Sequence, residues 1–164
     1  MSELREKHDG AFSEQMDVRV WLRLLSCSTV MEKRLRRRLV EHHATTLPRF
    51  DVLAALDRQA AGMTMSELSR ALLVSNGNVT ALVRQLERDG MVASRQASGD
   101  ARSSIVALTD QGRAHFRTLA ESHHRWVQAM LAGVPRDELA TLYRLLALVK
   151  SSIAAEREPG EEDR

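Results

Sequence analysis

The sequence predicts a mainly α-helical protein that carries one small β-hairpin. Apolar residues recur at intervals of three and four along most of the chain, which is the spacing of helices with one buried side. Proline and glycine interrupt this pattern at a few places only. Near residue 100, two short runs suited to β-strands flank a Gly-Asp turn, and this segment predicts the hairpin.

The first part of the chain predicts one long helix and two shorter ones. The long helix runs from Val18 to about His43 without proline or glycine, and Pro48 opens the second helix. Thr64 and Glu67 form the capping box of a short third helix, because a threonine followed three residues later by glutamate satisfies two free backbone N–H groups.

The fourth helix begins in the stretch SNGNVTALVRQL, with small polar residues that are poor helix formers. Ser75 is its expected N-cap, and Gly90 ends it in the left-handed conformation. The apolar residues expected to pack inward are Val79, Val83 and Leu86. The residues on the opposite side, spaced by four, are Asn76, Thr80 and Arg84. Such side chains can bind base edges and phosphates.

The rest of the chain predicts the hairpin and two more helices. The strand candidates are residues 91–97 and 104–108, joined by a turn that contains Gly99 and Asp100. Thr109 caps a long fifth helix, and Pro135 opens the last one. The apolar residues of the last helix form a narrow seam suited to packing against another helix, and they are Leu139, Leu142, Leu146, Val149 and Ile153.

Two short helices followed by a hairpin form the layout of a winged helix-turn-helix. In that unit the second helix lies in the major groove of DNA and the hairpin, or wing, reaches a minor groove. Asp100 is expected to hold the wing by accepting hydrogen bonds, which leaves Arg102 or Arg95 to enter a minor groove. Ser66 and Arg70 are candidates for phosphate contacts. The simpler alternative is that the polar start of the fourth helix serves only as a cap.

The segments TMSELSRALLVSNGNVTALVRQLERDGMV and SGDARSSIVALTDQG resemble the MarR family of transcriptional regulators. The resemblance covers roughly residues 18–155 in element order, and its motifs are fairly specific in combination. The matching elements are residues 80–86 and 87–90, Asp100-x-Arg102 and Leu108-Thr109-x-x-Gly112. It implies an obligate homodimer with intertwined terminal helices, which binds a pseudo-palindrome in double-stranded DNA.

The resemblance also implies residue roles at the DNA. It makes Arg102 the minor-groove residue, and it implies a set of major-groove candidates, namely Ser75, Asn76, Asn78, Thr80 and Arg84. Many members of the family carry a second basic residue in the wing where this chain has Ala101. We therefore expect the wing to make weaker or fewer contacts here.

A narrower resemblance concerns the effector. The runs LRLLSCSTVMEKRLRRRL and TTLPRFDVLAALDR are similar to the MarR subgroup that controls hydroxycinnamate and other aromatic-acid catabolism, and this similarity implies a repressor released by an aromatic acyl-CoA thioester. An apolar slot would take the ring, and arginines would bind the CoA phosphates. The candidate ligand-binding residues are Trp21, Leu24, Ser28, Met31, Arg38, His42, Arg49 and Phe50. Their simpler roles are core packing and a solvated basic face.

Four segments follow from these assignments. They are a flexible N-terminal arm (1–17), a dimerisation region (18–46 and 110–155), a winged helix-turn-helix lobe (47–109) and an acidic tail (156–164). The net charge of +2 says little about partners. No apolar run approaches the length of a membrane span and no secretion signal opens the chain, so we expect a cytoplasmic protein without a membrane partner.

Other functions of the same chain remain open. Cys27 could sense peroxides, although a buried and inert cysteine is the simpler expectation. Six histidines could sense a metal, but adjacent histidines point about 100° apart on a helix, so we expect neither a metal site nor a cofactor. No enzyme motif is present, and we expect no enzymatic activity. A protein–protein module would not explain the polar face of the fourth helix.

Overall fold

The computed structural model describes residues 15–97 and 100–156, without the side chains of residues 97 and 100–103. The helices in this part of the chain are α1 (Met16–His43), α2 (Leu47–Asp57), α3 (Met65–Leu72), α4 (Asn76–Arg88), α5 (Asp110–Leu131) and α6 (Arg136–Ala155). The strands are β1 (Met63–Thr64), β2 (Val92–Ala97) and β3 (Asp100–Leu108). The predicted fold class, mainly α with a hairpin wing, is confirmed. The predicted arm and acidic tail fall almost wholly outside the described residues, as does Gly99.

The three strands form one antiparallel sheet in the order β1-β3-β2. The predicted hairpin is β2 and β3, which pair from Val92 with Leu108 to Ala97 with Asp100. Strand β1 was not predicted, and it pairs Met63 with Val106 on the other edge of β3. This two-residue strand joins the start of α3 to the base of the wing.

Three local signals of the sequence act as predicted. Thr64 and Glu67 form the capping box of α3, and the hydrogen bond from the backbone N–H of Thr64 lowers the pKa of the Glu67 carboxyl. Gly90 ends the turn after α4 with φ of +71°, a conformation that glycine adopts without strain. The hydroxyl of Thr109 accepts a hydrogen bond from the backbone N–H of Gly112 at 2.9 Å, which caps α5.

The core lies where α2, α3, α4 and α5 meet the sheet. Its fully buried large side chains are Leu39, Val52, Leu53, Leu56, Leu68, Val79, Val83, Leu86, Val106 and Leu119. The predicted inward residues of α4 are all among them. Helix α1 buries two residues, Leu35 and Leu39, and both lie in its second half. The buried side predicted for this helix therefore packs over only part of its length within one protomer.

The described chain divides into two compact units at Val127 and Gln128. The first unit contains α1 to α4, the sheet and most of α5, and the second contains the end of α5 and α6. The predicted division into dimerisation and DNA-binding segments concerns what each helix does, and it stays a prediction. Within the described residues, every helix is too short or too polar to cross a membrane.

Candidate nucleic-acid interface and ligand site

Helix α4 presents a polar outer side opposite its buried one. Asn76, Asn78 and Arg84 are exposed on it, as predicted for residues that reach DNA. Thr80 is only half exposed, and its hydroxyl donates a hydrogen bond to the backbone oxygen of Asn76 at 2.8 Å. The hydroxyl hydrogen of Thr80 is therefore used within the helix, while its methyl group and its oxygen, as an acceptor, remain for contact with a base.

The start of α4 is open. Ser75 has the extended backbone of an N-cap, but its side chain makes no capping hydrogen bond, contrary to the role expected of it. A Cβ added at Gly77 would meet nothing within 4 Å. The first backbone N–H groups of a helix lack partners within the helix and attract anions. An uncapped, thin helix start allows a DNA phosphate to approach these groups closely.

The helix α3 and the wing flank this surface. Ser66 and Arg70 are exposed on α3, one turn apart. Arg95 in β2 donates a hydrogen bond to the backbone oxygen of Ala61 at 3.1 Å, so its guanidinium holds the base of the wing, which competes with its predicted entry into a minor groove. The side chains of Asp100 and Arg102 lie outside the described part of the chain, and their roles stay predictions.

The C-terminal end of α4 is fixed by two neighbouring helices. Arg49 in α2 forms a salt bridge with Asp89, the residue after α4, at 2.5 Å. The hydroxyl of Thr109 donates to the backbone oxygen of Gly90 at 2.7 Å. A Cβ at Gly112 in α5 would overlap the carbonyl group of Met91, whose carbon would be 2.8 Å away. Only glycine permits this close approach, which explains the Thr-x-x-Gly motif.

A cluster of aromatic rings and basic groups lies between α1, α2 and α5. The guanidinium of Arg38 lies 6.0 Å from the centre of the Trp126 ring, and His42 and His43 contact the same ring at 5.7 and 5.8 Å. The Nη1 atom of Arg38 is buried and, within the part of the chain that is described, has no hydrogen-bond partner. Because a buried guanidinium N–H needs an acceptor, this atom is suited to bind an anion.

The second side of the cluster is formed by Phe50. Its ring stacks on His123 at 4.6 Å and contacts Phe116 at 5.7 Å. Burial lowers the pKa of His123 and of His115, and the nearby charges of His43 and Arg49 lower the pKa of His115 further. Both shifts favour the neutral imidazole in His115 and His123.

The predicted ligand-binding residues fall into two groups along α1. Arg38 and His42 belong to the cluster of Trp126, a residue that the sequence reasoning did not select as a ligand residue. Trp21, Leu24 and Ser28 lie in the first half of α1, and Met31 lies just past its middle. Since a helix rises about 1.5 Å per residue, Trp21 is roughly 25 Å from Arg38 along the axis. One protomer does not bring the eight residues into one pocket.

One expectation about α1 needs correction. Cys27 is exposed, not buried, because the first half of α1 has little packed against it within the protomer. In the basic stretch of α1, residues 33–38, Arg36 forms a salt bridge with Glu32, and the guanidinium of Arg37 lies 3.8 Å from the carboxylate of Glu41. These glutamates would compete with CoA phosphates for the two arginines. Lys33 and Arg34 are exposed on the same helix.

The apolar seam of α6 is largely uncovered in the protomer. Leu142 is 45%, Leu146 37% and Ile153 66% exposed, and Leu139 and Val149 are half buried. None of the described residues of α6 is buried. Across the described ranges, no three His, Cys, Asp or Glu side chains are grouped so that they could hold a metal ion.

Comparisons with known proteins agree with this arrangement. The MarR family model matches residues 45–103. The chain is 34% identical over 155 residues to the transcriptional activatory protein BadR of Rhodopseudomonas palustris, covering 91% of this chain and 88% of that protein. It is 30% identical over 110 residues to the regulator PecS of Dickeya dadantii, covering 66% of each.

Solved structures share the fold. A MarR family regulator from Silicibacter pomeroyi is 33% identical, with a TM-score of 0.72 over 90% of this chain and 99% of that chain. Sco3205 from Streptomyces coelicolor, a MarR family regulator in complex with DNA, has a TM-score of 0.74 and 21% identity over 90% of this chain and 94% of that chain. The second comparison supports the fold alone.

Proposed function

The chain belongs to the MarR family of DNA-binding transcriptional regulators, and we propose that it acts in the cytoplasm as a homodimeric repressor released from its operator by an aromatic effector. The observation that supports DNA binding most is the two-sided helix α4. Its apolar side is fully buried, while Asn76, Asn78 and Arg84 face solvent beside an uncapped helix start. A helix with this division can enter a major groove without losing its packing.

The homodimer is supported by apolar surface that one protomer leaves uncovered. On α6 this surface includes Leu142 and Leu146, and on α1 it includes Trp21 at 59% and Val20 at 44% exposure. Apolar surface on this scale marks an interaction site. In the proposed dimer, each protomer places its α4 on one half-site of a pseudo-palindrome. The two half-sites lie about one helical turn of DNA apart.

The effector is supported by the cluster around Trp126. The Nη1 of Arg38 is buried and has no partner among the described residues, so it needs an acceptor, and the rings of Trp126 and His42, which are not fully buried, offer flat surfaces for packing. These features suit a planar aromatic group that carries an oxygen acceptor, such as the thioester carbonyl of an aromatic acyl-CoA. The exposed Lys33 and Arg34 are available to its phosphates.

The effector proposal is tested with benzoyl-CoA, cinnamoyl-CoA and the two free acids. The wild-type protein first selects a DNA duplex from a random pool. Release of the protein from this duplex by each compound is then measured, together with the heat of compound binding in calorimetry. We expect at least one thioester to bind and release the DNA, Arg38→Ala to abolish both effects, and Arg34→Ala to weaken only the thioester binding. Continued DNA binding with no heat from any of the four compounds would refute it.

Activation of transcription is the second candidate, favoured by the name of BadR as an activatory protein. A reporter placed downstream of the selected duplex separates the two functions. Repression predicts that removing the protein raises the reporter signal, whereas activation predicts that its removal lowers the signal. An Arg84→Ala variant should resemble removal in either case.

A further inference from the structure

We propose that Leu73, in the turn between α3 and α4, makes an apolar contact with the DNA that strengthens operator binding. Leu73 is the residue that ends α3, with φ of 54° and ψ of 39°. Its side chain is 92% exposed, more than any other large apolar side chain in the described chain. The inference rests on the proposed DNA-binding role of α4. It adds an apolar contact to the polar contacts proposed for that helix.

The left-handed backbone of Leu73 lowers the stability of the fold, and packing of its side chain does not offset this loss. Left-handed backbone crowds a Cβ, so glycine is the usual residue at this position after a helix. The turn is already fixed without the side chain, since the N–H of Leu73 binds the oxygen of Arg70 and the N–H of Val74 binds the oxygen of Ser69. At 92% exposure the leucine packs against little of its own protomer.

Exposure alone would mean little, because single apolar residues are common on protein surfaces. Strain and exposure together need a compensation outside the fold. Leu73 lies two residues before Ser75, at the open start of α4, and three residues after the exposed Arg70. The surface that approaches this place in the proposed complex is DNA, whose apolar parts are the deoxyribose rings and the thymine methyl groups.

Leu73→Gly tests the contact, and Ala44→Gly is its matched control. Ala44 also ends a helix in the left-handed conformation, with φ of 49°, but it follows α1 and lies outside the predicted DNA surface. Both substitutions should raise the midpoint of thermal unfolding, because both relieve the same strain. Leu73→Asn, whose short side chain tolerates this backbone, is a second variant that removes the apolar surface.

The expected result is a separation of stability from binding. On a duplex selected by the wild-type protein, Leu73→Gly and Leu73→Asn should weaken binding about fivefold, the effect of roughly one apolar contact, and leave its salt dependence unchanged. Ala44→Gly should bind as the wild type does. Replacing each thymine by uracil in turn removes only a methyl group. If one replacement weakens binding by the wild type but not by Leu73→Gly, Leu73 contacts that methyl group. If every replacement affects the two proteins equally, Leu73 contacts deoxyribose.

Three results would overturn the proposal. If both Leu73 variants bind DNA with an affinity within twofold of the wild type, the fold tolerates the strain at Leu73 without a compensating DNA contact. Loss of the dimer in Leu73→Gly would assign the side chain to a protein contact instead. Failure of the wild type to select any duplex would refute the proposed function together with this inference, whereas the first two results leave DNA binding by the protein intact.

Discussion

The helices α4 and α6 are both amphipathic, but only α4 completes its packing inside the protomer. The apolar residues of α4, Val79, Val83 and Leu86, are at most 1% exposed, whereas Leu142 and Leu146 on α6 remain 45% and 37% exposed. The same spacing of apolar residues therefore serves two purposes. In α4 it fixes a polar face for another molecule, and in α6 it leaves an apolar face that a second chain can cover.

The difference is tested most directly by making one substitution on both helices. Leu86→Ala should lower the free energy of unfolding by about 3 kcal/mol at every protein concentration, because it leaves a cavity in the core. Leu142→Ala should cost less where the protein is too dilute to dimerise, and more at concentrations where the dimer forms, because dimer formation is linked to folding. Urea unfolding at two concentrations measures both, and an effect of Leu142→Ala that ignores concentration would contradict the assigned role of α6.

Charge on the α6 seam should separate the protomers. With Leu142→Asp and Leu146→Asp combined, we expect the dimer dissociation constant to rise by more than about a hundredfold, since both carboxylates would be buried without partners. Sedimentation velocity gives the oligomeric state. The control is Thr141→Asp, an exposed position on the same helix. A dimer that survives the double substitution would place the interface elsewhere.

Removing charge from the outer side of α4 should affect DNA and not the fold. Arg84→Ala should weaken binding to the selected duplex by about 1–3 kcal/mol, and it should reduce the salt slope by about one if the contact is to a phosphate. Arg117→Ala on the exposed side of α5 is the control for lost charge. Titrations at three salt concentrations measure affinity and slope, and unchanged values for Arg84→Ala would mean that the wrong face was assigned.

The link between α2 and the end of α4 should have a smaller effect on stability. Arg49→Gln removes the salt bridge to Asp89, and we expect a loss of about 0.5–1 kcal/mol, because the carboxylate is half exposed to water. DNA affinity should fall as well, although neither residue lies on the outer face of α4. Asp89→Asn should have the same effect, and the double variant should cost no more than either single one. Additive losses would show that the two side chains act independently.

The smallest expected effect concerns pH. Burial lowers the pKa of His115 and His123 in the folded protein, so below the usual histidine pKa of about 6.5 the unfolded chain binds more protons. Stability should therefore fall as pH is lowered from 7.5 to 5.5. His123→Phe keeps an aromatic ring against Phe50 without titrating, and it should reduce this loss in thermal unfolding. An equal loss in the variant would exclude His123 as a cause.

Local signals predicted more of this molecule than long-range ones. The capping box at Thr64, the left-handed Gly90 and the cap at Thr109 each depend on residues three or fewer positions apart, and all three are confirmed. Strand β1 is too short to carry a strand pattern, and it exists because β3 offers a free edge. The pair of Arg49 and Asp89 joins residues 40 positions apart, which no spacing rule can detect.

The burial of α1 and the details of the candidate site show a second limit. The helical spacing of apolar residues predicted one buried side for α1, and Cys27 was expected to be buried, but periodicity cannot say whether the covering surface belongs to the same chain. Arg95 was predicted at a minor groove from its position in the hairpin, and its hydrogen bond to Ala61 depends on a loop more than 30 residues away. The exposed, polar residues of α4 were predictable because their apolar neighbours fix which side faces outward.

The contact between Gly112 and Met91 has a mechanical consequence. It places α5 directly on Met91, three residues after the end of α4, so this contact is the point about which α5 would tilt. Trp126 lies about 21 Å along α5 from it, and a 2 Å displacement there corresponds to a tilt of about 5°. If α4 follows the same tilt, its start, about 20 Å away, moves by roughly 2 Å. That exceeds the range over which a hydrogen bond to a base edge survives, so in the proposed complex a small shift beside Trp126 would suffice to misalign Asn76 with a base.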